Sequence, residues 1–513
     1  MVFTSLEFLA FFPIVVGIYF LLPNRFRWFH LVVSSYYFYM AWKPVYALLL
    51  LFSTLSFYLA ALGLDRYKED WQRKTVFFLG IGVNLGMLFA FKYYNFFETQ
   101  SRALAVSVGL DIHPPALDVL LPMGISFYTF QGVSYLVDVY RRDMPAERHL
   151  GVLLLYKAFF PQLVAGPIER GAHFIPQLSA HLLSRDEGQT IRFEYDRVVS
   201  GLRLMLLGFF KKIVLADNFA LIVNPVYSAP DEYSGASALV ATAAFSFQIF
   251  FDFSAYTDIA RGVSRVLGFE LIENFNRPYM ATSVPEFWRR WHISLSSWFR
   301  DYLYIPLGGN RVPRWRWFLN LWIVFLLCGL WHGANWTFLI WGALHGFYYF
   351  LTHMLTPPAR WLAANTLLSR FPMFCRAILI AITYSMVCWA WVMFRADSLP
   401  QALTIWANIA HIPSEAFEYL TMALKEGIPF HPLTAFGLAW LILPFDKISL
   451  MPAYVFALTA CYMGISVRVR RQDDGPIFAG WGTMYRWGAY FFSLVCILLL
   501  GRIGGTPFIY FQF

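Results

Sequence analysis

The sequence predicts an all-α fold, a polytopic helical membrane protein with re-entrant and interfacial helices around a central cavity. Three observations lead there. Hydrophobic residues make up 58% of the 513 and charged residues only 14%, about half the usual charged share of a soluble protein. Such a chain cannot cover itself with a polar surface, so its solvent is lipid. Inside a bilayer the backbone satisfies its own hydrogen bonds, as helices or as a closed barrel. The apolar runs are long and continuous and do not alternate, so helices are expected.

Taken in order, apolar runs cover 7–22, 28–62 (enough for two spans), 75–96, 113–137, 150–168, 198–222, 235–267, 318–350 (one span or two), 376–395, 433–465 (again two) and 487–503. At about 20 residues per span, the total is roughly eleven to thirteen membrane helices. Residues 1–513 are read as one membrane domain. The first run has no basic leader and no small-residue cleavage site, so it is expected to be a retained span. Cys328, Cys375, Cys388, Cys461 and Cys496 lie in or beside apolar runs without metal-ligand spacing. They read as small buried apolar residues, and neither a metal nor a tightly bound cofactor is expected. The net charge of +9 does not point to nucleic acid, because Lys and Arg of membrane proteins collect in cytoplasmic loops.

That bias orients the chain. The stretch "DRYKEDWQRK" (65–74), the Arg-rich segment 268–316, and the loop holding Arg468, Arg470, Arg471 and Arg486 all read as cytoplasmic. One further crossing over 487–503 places the C-terminal tail, 504–513, on the extracytoplasmic side. Phe508 and Phe513 are then expected at the membrane interface.

A few polar groups stand at membrane depth, where ionisable side chains are costly. In "LCGLWHGANWTFLIWGALHG" (327–346), His332 and Asn335 fall inside an apolar helix. His332 reads either as a structural histidine bonded to a neighbouring helix or as a proton acceptor near neutral pH. His345 is a weaker case of the same kind. Gly329, Gly333 and Gly342 admit another backbone or a narrow ligand.

In "SVPEFWRRWHISLSSWFRDYLYIPLGGNR" (283–311), Ser283 and Glu286 form a capping-box pattern. Trp288, Trp291, Leu295, Trp298 and Tyr302 recur at helical spacing, opposite Arg289, Ser296, Ser297 and Arg300. The segment reads as an amphipathic helix in the cytoplasmic interface. It is either a plain anchor or a lid over an entrance. In the second case Arg289, Arg290 and Arg300 grip a phosphate-bearing donor, with Asn335 grouped among the donor contacts and His292 lining the way in. In "FSFQIFFDFSAYTDIARG" (245–262), Asp252 and Asp258 need partners. Pairing with an arginine such as Arg261 is the first reading, and a proton relay or substrate role is the other. The segments 121–143 and 159–171 carry Gly, Pro and polar groups within apolar runs. They read as broken or re-entrant helices scaffolding the cavity.

At these residues the chain resembles the membrane-bound O-acyltransferase family, above all its bacterial branch with the alginate O-acetyltransferases and the D-alanyl transferases of teichoic acids. "EFWRRWHISLSSWFRDYLYIPLGGNR" and "GLWHGANWTFLIWGALHG" carry the likeness. "MVFTSLEFLAFFPIVVGIYFLLP", "LPMGISFYTFQ", "LVAGPIER" and "FQIFFDFSAYTDIARG" extend it from the N-terminus to about residue 350. The resemblance implies a central tunnel, with His332 as the catalytic residue inside it and His292 as the second family histidine. It further implies acetyl-CoA as cytoplasmic donor and an extracytoplasmic SGNH-type acetyltransferase within a polysaccharide synthesis and export complex. The tail matches the FxYxxF motif of this bacterial system through Phe508, Tyr510 and Phe513. That match implies that Tyr510 carries the acyl group.

The chemistry of the implied relay is coherent. A thiol of pKa about 8.5 leaves more readily than a phenol of pKa about 10. A phenyl ester is therefore an activated carrier lying between a thioester and an alkyl ester. The eight residues from Arg502 to Tyr510, extended, reach roughly 27 Å, against about 15 Å for half a bilayer core. The expected protein is thus an O-acetyltransferase of the bacterial inner membrane, acting on an alginate-like exopolysaccharide. Peptidoglycan or cellulose are alternative acceptors. A proton-coupled permease, and direct acylation of a lipid or protein, are the rival functions.

Overall fold

The computed structural model describes residues 1–110, 115–118, 120–184, 190–365, 370–425, 451–468, 482–502, 504 and 507–509. The regular structure of these residues is all helical, with no strand among them. The helices are α1 (Leu6–Leu21), α2 (Asn24–Met40), α3 (Tyr46–Arg66), α4 (Asp70–Leu88), α5 (Tyr94–Ser107), α6 (Ile125–Arg141), α7 (Leu150–Ala158), α8 (Gly171–Leu182), α9 (Tyr195–Phe209) and α10 (Asp217–Ser228). There follow α11 (Gly235–Val266), α12 (Val284–Arg290), α13 (Ile293–Phe299), α14 (Arg314–His332), α15 (Trp336–Asn365), α16 (Pro372–Arg395), α17 (Leu399–Ala410), α18 (Ile412–Lys425), α19 (Met451–Arg468) and α20 (Thr483–Leu500). Among the described residues, five helical stretches are long and apolar enough to cross a membrane, over Tyr46–Arg66, Asp70–Ser107, Gly235–Val266, Pro372–Arg395 and Thr483–Leu500. The protein is a multi-pass membrane protein. Large side chains such as Leu6, Phe78, Met373, Phe491 and Leu499 face outward, as a lipid solvent requires. Of the cysteines, Cys328 and Cys496 are buried, whereas Cys461 lies on the exterior.

The centre is built on α11, a helix of 32 residues whose N-cap Ser234 accepts from the backbone N–H of Ser237. Nearly all of its residues from Ala244 onward are buried, and it packs on α9, α10, α16 and α17. The segment between α7 and α8 is the irregular buried stretch expected at 159–171. Its backbone polar groups find side chains, which is the condition for non-helical chain at membrane depth. The N–H of Phe160 donates to Ser35 Oγ and that of Ile168 to Ser294 Oγ. Gly124 starts α6 with φ +73°, and a Cβ there would stand 2.5 Å from the carbonyl of Leu163. Only glycine meets both demands.

Three π-helical turns interrupt the fold among the described residues, at Phe89–Tyr93, Phe210–Ala216 and Arg300–Tyr304. Such turns rotate side chains out of the α register and are frequent at functional sites. The first two present lysines inward.

One end of the molecule gathers arginines. Arg73 donates to the carbonyls of Leu64 and Tyr140, Arg141 to that of Asp301 and Arg27 to that of Ile191, while Arg170 meets the Asp301 carboxylate at 3.7 Å.

Segment 283–311 departs from the single interfacial helix expected for it. It forms α12 and α13, joined at His292 in a left-handed conformation with φ +42°, and continues into the third π-turn. Ser283 caps α12 through the N–H of Glu286, as the capping pattern indicated, and the Glu286 carboxylate turns back to Thr282. Trp291, His292 and Leu295 are fully buried, whereas Arg289 and Arg300 are exposed. The segment is a wedge driven into the protein with its arginines at the rim. The tryptophan spacing reflects burial on several sides, not one apolar stripe.

Candidate active site

His332 is the last residue of α14, and Gly333 and Ala334 turn the chain so that Asn335 opens α15. The apolar run 318–350 thus divides into two helices, as its length allowed, and the break falls directly after His332, which was expected inside a helix. The Asn335 side chain accepts from the N–H of Thr337 and donates to the carbonyl of Asp397, so it caps α15 and ties the turn to the loop after α16. The two helices meet backbone to backbone. A Cβ on Gly329 would stand 2.2 Å from the carbonyl of Phe338, and one on Gly342 would stand 2.2 Å from that of Phe325. Close approach of this kind is what small residues in membrane helices permit. His332 is 4% exposed. Its ring lies 4.9 Å from Trp331, 5.0 Å from Trp341 and 5.1 Å from Phe394.

The end of α14 is closed by Lys92, which sits on the first π-turn. Its ammonium donates to the carbonyls of Trp331 at 2.7 Å and His332 at 3.1 Å, and to Ser126 Oγ at 3.3 Å. A cation at a helix C-terminus answers both the unpaired carbonyls and the helix dipole. Two cavities meet at Lys92. One of about 340 Å³ is lined by His332, Trp331, Ser126 and residues 120–125. The other, about 330 Å³, is lined by Gly333, Ala334, Asn335, Gln248, Arg395 and Ile509.

On the arginine-rich side, a third cavity of about 370 Å³ is lined by Trp288, Arg289, Ser296, Ser297, Arg300 and Tyr349, among others. Arg290 is absent from its lining and is held by Glu286 at 2.6 Å. Asn335 does not join these arginines. It lines the cavity beyond His332. His292, at the tip of the wedge, packs 4.7 Å from Phe253 and 5.9 Å from Trp331, so the Trp331 ring is in contact with both histidines. His345 accepts from Trp288 Nε1 at 3.2 Å and meets Trp341 edge to face at 4.9 Å. A continuous row of rings therefore leads from the third cavity to His332.

The aspartates of α11 are paired with lysines and not with Arg261, which meets Glu273 at 3.5 Å. Lys211 approaches Asp258 at 2.5 Å. Lys212 lies between Asp217 at 2.8 Å and Asp252 at 2.7 Å. Both lysines belong to the second π-turn, in the "FFKK" of an apolar run. That pair of cations was the available signal for partners, as the lone cation ending the 75–96 run was for Lys92. The other oxygen of Asp252 accepts the backbone N–H of Ile509 at 2.7 Å. Phe508 is 2% exposed, lies under the Lys212 ammonium at 4.6 Å and meets the ring of Tyr256 at 5.2 Å. The expectation that Phe508 sits at the membrane interface is therefore corrected, because cation and ring partners inside the protein hold it. Tyr510 and Phe513 lie outside the described residues.

Residues 149–393 match the model of MBOAT, the membrane-bound O-acyltransferase family. Over 521 aligned positions the chain is 36% identical to a protein of Pseudomonas putida named Probable alginate O-acetylase AlgI, covering all of both chains. It is 34% identical to the peptidoglycan O-acetyltransferase of Helicobacter pylori, over 81% of this chain and 82% of the other. It is 29% identical to the teichoic acid D-alanyltransferase of Bacillus subtilis, over 55% of this chain and 70% of the other. With its helical membrane architecture and this similarity along its whole length, the chain belongs to the membrane-bound O-acyltransferase family and is an O-acyltransferase enzyme.

Proposed function

We propose that this enzyme is a polysaccharide O-acetyltransferase of the bacterial inner membrane. It takes acetyl from cytoplasmic acetyl-CoA and passes it through Tyr510 to an extracytoplasmic partner that acetylates an alginate-like polymer. The observation that carries this reading is the position of Ile509. The residue preceding Tyr510 in sequence lines the same cavity as Gly333–Asn335, which follow His332. The names of the relatives favour acetyl over other acyl groups and a cell-surface polymer as acceptor, with alginate first and peptidoglycan second.

In this reading the arginine-rich end faces the cytoplasm, in keeping with the charge bias of membrane proteins. Arg289 and Arg300 hold the phosphates of the donor at the third cavity, and His292 lines the inner end of the path. His332 takes the phenolic proton of Tyr510 as general base. The phenolate oxygen bonds to the thioester carbonyl carbon, the carbon–sulfur bond breaks, and the CoA thiolate leaves and is protonated. A hydroxyl of the SGNH-type partner then takes the acetyl group and regenerates the phenol. The polymer hydroxyl receives it last.

Incubation with labelled acetyl-CoA, followed by mass spectrometry of the C-terminal peptide, tests this directly. Label on Tyr510, lost in Tyr510→Phe and in His332→Ala, is expected. An unlabelled peptide from an enzyme that still delivers acetyl to polymer rejects the carrier.

A further inference from the structure

The buried charges around Asp252 are more than a structural ion pair. Asp252 uses one oxygen for Lys212 and the other for the N–H of Ile509. Lys212 in turn is held by Asp217 and faces the Phe508 ring. The chain leading to the tail is fastened to the same place. The carbonyl of Leu500 accepts from Asn218 Nδ2 at 3.0 Å, and the N–H of Arg502 donates to Ile213 at 3.3 Å. Every one of these partners lies on the second π-turn, at the start of α10, or on α11. A few residues away, Lys211 and Asp258 form a second buried pair, with no described tail residue among its hydrogen-bond partners.

We infer that Lys212, Asp217 and Asp252 form a receptor for the C-terminal tail, whose function is to hold Phe508 against Lys212 and Tyr256 and Ile509 at the cavity beyond His332, and so to position Tyr510. The receptor reads the tail by a backbone N–H and an aromatic face. Charge-assisted hydrogen bonds and cation–π contacts are both strengthened away from water. The π-turn supplies the geometry, since the two adjacent lysines take separate aspartates on α11. The bond to Ile509 is made to the main chain, so it fixes the depth of the tail whatever side chain stands at 509. The positioning of Tyr510 rests on the carrier reading. The holding of the tail does not.

The test reads the tail itself. Carboxypeptidase A removes aromatic and aliphatic C-terminal residues but does not cleave a residue that follows proline, so here it stops at Phe508. The purified full-length protein in detergent is digested without acetyl-CoA, and its intact mass is followed. Wild type is expected to keep Ile509. Asp252→Ala and Lys212→Met are expected to be trimmed to Phe508 about tenfold faster or more, the worth of one charge-assisted bond. Asp258→Asn is expected to trim like wild type. Phe508→Ala, which leaves the charges intact, is expected to release Ile509 faster and serves if Asp252→Ala does not fold. Equal trimming of wild type and these receptor variants overturns the proposal. Equal release by Asp258→Asn also overturns it, since the charges then hold the fold and not the tail. A tail protected in this way that never carries acetyl would reject the carrier and leave the receptor standing.

Discussion

Lys92 donates to the carbonyl of His332 at 3.1 Å, although 240 residues separate them in the chain. The π-turn that follows α4 thus closes the helix that presents the histidine. Lys92→Met removes the donor to two carbonyls at once. Leaving one buried polar group unpaired costs about 1–3 kcal/mol. The variant is expected to melt lower and to lose most polymer acetylation, with Lys92→Arg recovering part of both. Thermal unfolding in detergent and acetyl content of the polymer are the measurements.

His292 holds a left-handed backbone, a conformation that asparagine tolerates better than most residues. His292→Asn is expected to fold like wild type, and His292→Ala to be less stable. Acetylation by His292→Asn is expected to fall less than that by His332→Ala. An equal loss in both would make His292 a second base.

Arg289 and Arg300 line the cavity on the basic side, and Arg290 is engaged by Glu286. Arg289→Ala and Arg300→Ala are each expected to raise KM for acetyl-CoA about tenfold, in line with loss of one charged hydrogen bond, with little change in kcat. Arg290→Ala is expected to affect stability more than KM. Steady-state kinetics at varied acetyl-CoA separates them.

Gly329 has Phe338's carbonyl where a Cβ would go. Gly329→Ala forces the hairpin of α14 and α15 apart, at about 1–3 kcal/mol for an overpacked contact. A lowered melting temperature together with reduced acetylation is the expected pair of results.

His173 lies 2.7 Å from the Glu169 carboxylate. That hydrogen bond raises its pKa above the usual imidazole value, against the opposing effect of partial burial, and the charges of Glu169 and Glu270 add to it. A raised histidine stabilises the fold fully below its unfolded pKa, about 6.5, and the gain is lost as pH rises through the folded value. The melting-temperature gap between wild type and His173→Gln should be widest near pH 6 and close in alkaline buffer. A gap independent of pH would assign the contact to packing alone.

The membrane class, His332 and the need of Asp252 and Asp258 for partners were legible because each is a violation of local composition. The partners were not. Lys211 and Lys212 stand 47 and 40 residues from their aspartates, whereas Arg261 is close in sequence and was favoured for that reason. The run 318–350 was long enough for two spans, but the position of its break after His332 was hidden because one glycine in an apolar run does not by itself end a helix. The wedge at 283–311 was hidden because helical spacing of tryptophans is satisfied equally by two short buried helices. The positive φ of His292 leaves no mark in composition. Phe508 illustrates the same limit: an aromatic residue near a terminus reads as a belt residue until its cation is known.

The rings packed about His332 set a rule for losses. Activated acyl groups are wasted whenever water reaches them before the acceptor does. Trp331, Trp341 and Phe394 pack 4.9 Å, 5.0 Å and 5.1 Å from the imidazole and leave the cavity as its open side. On the proposed reading, enlarging that collar, by Trp341→Ala for instance, is expected to raise hydrolysis of the acyl donor without product. The worth of these rings would then be counted in donor molecules saved per acyl group delivered.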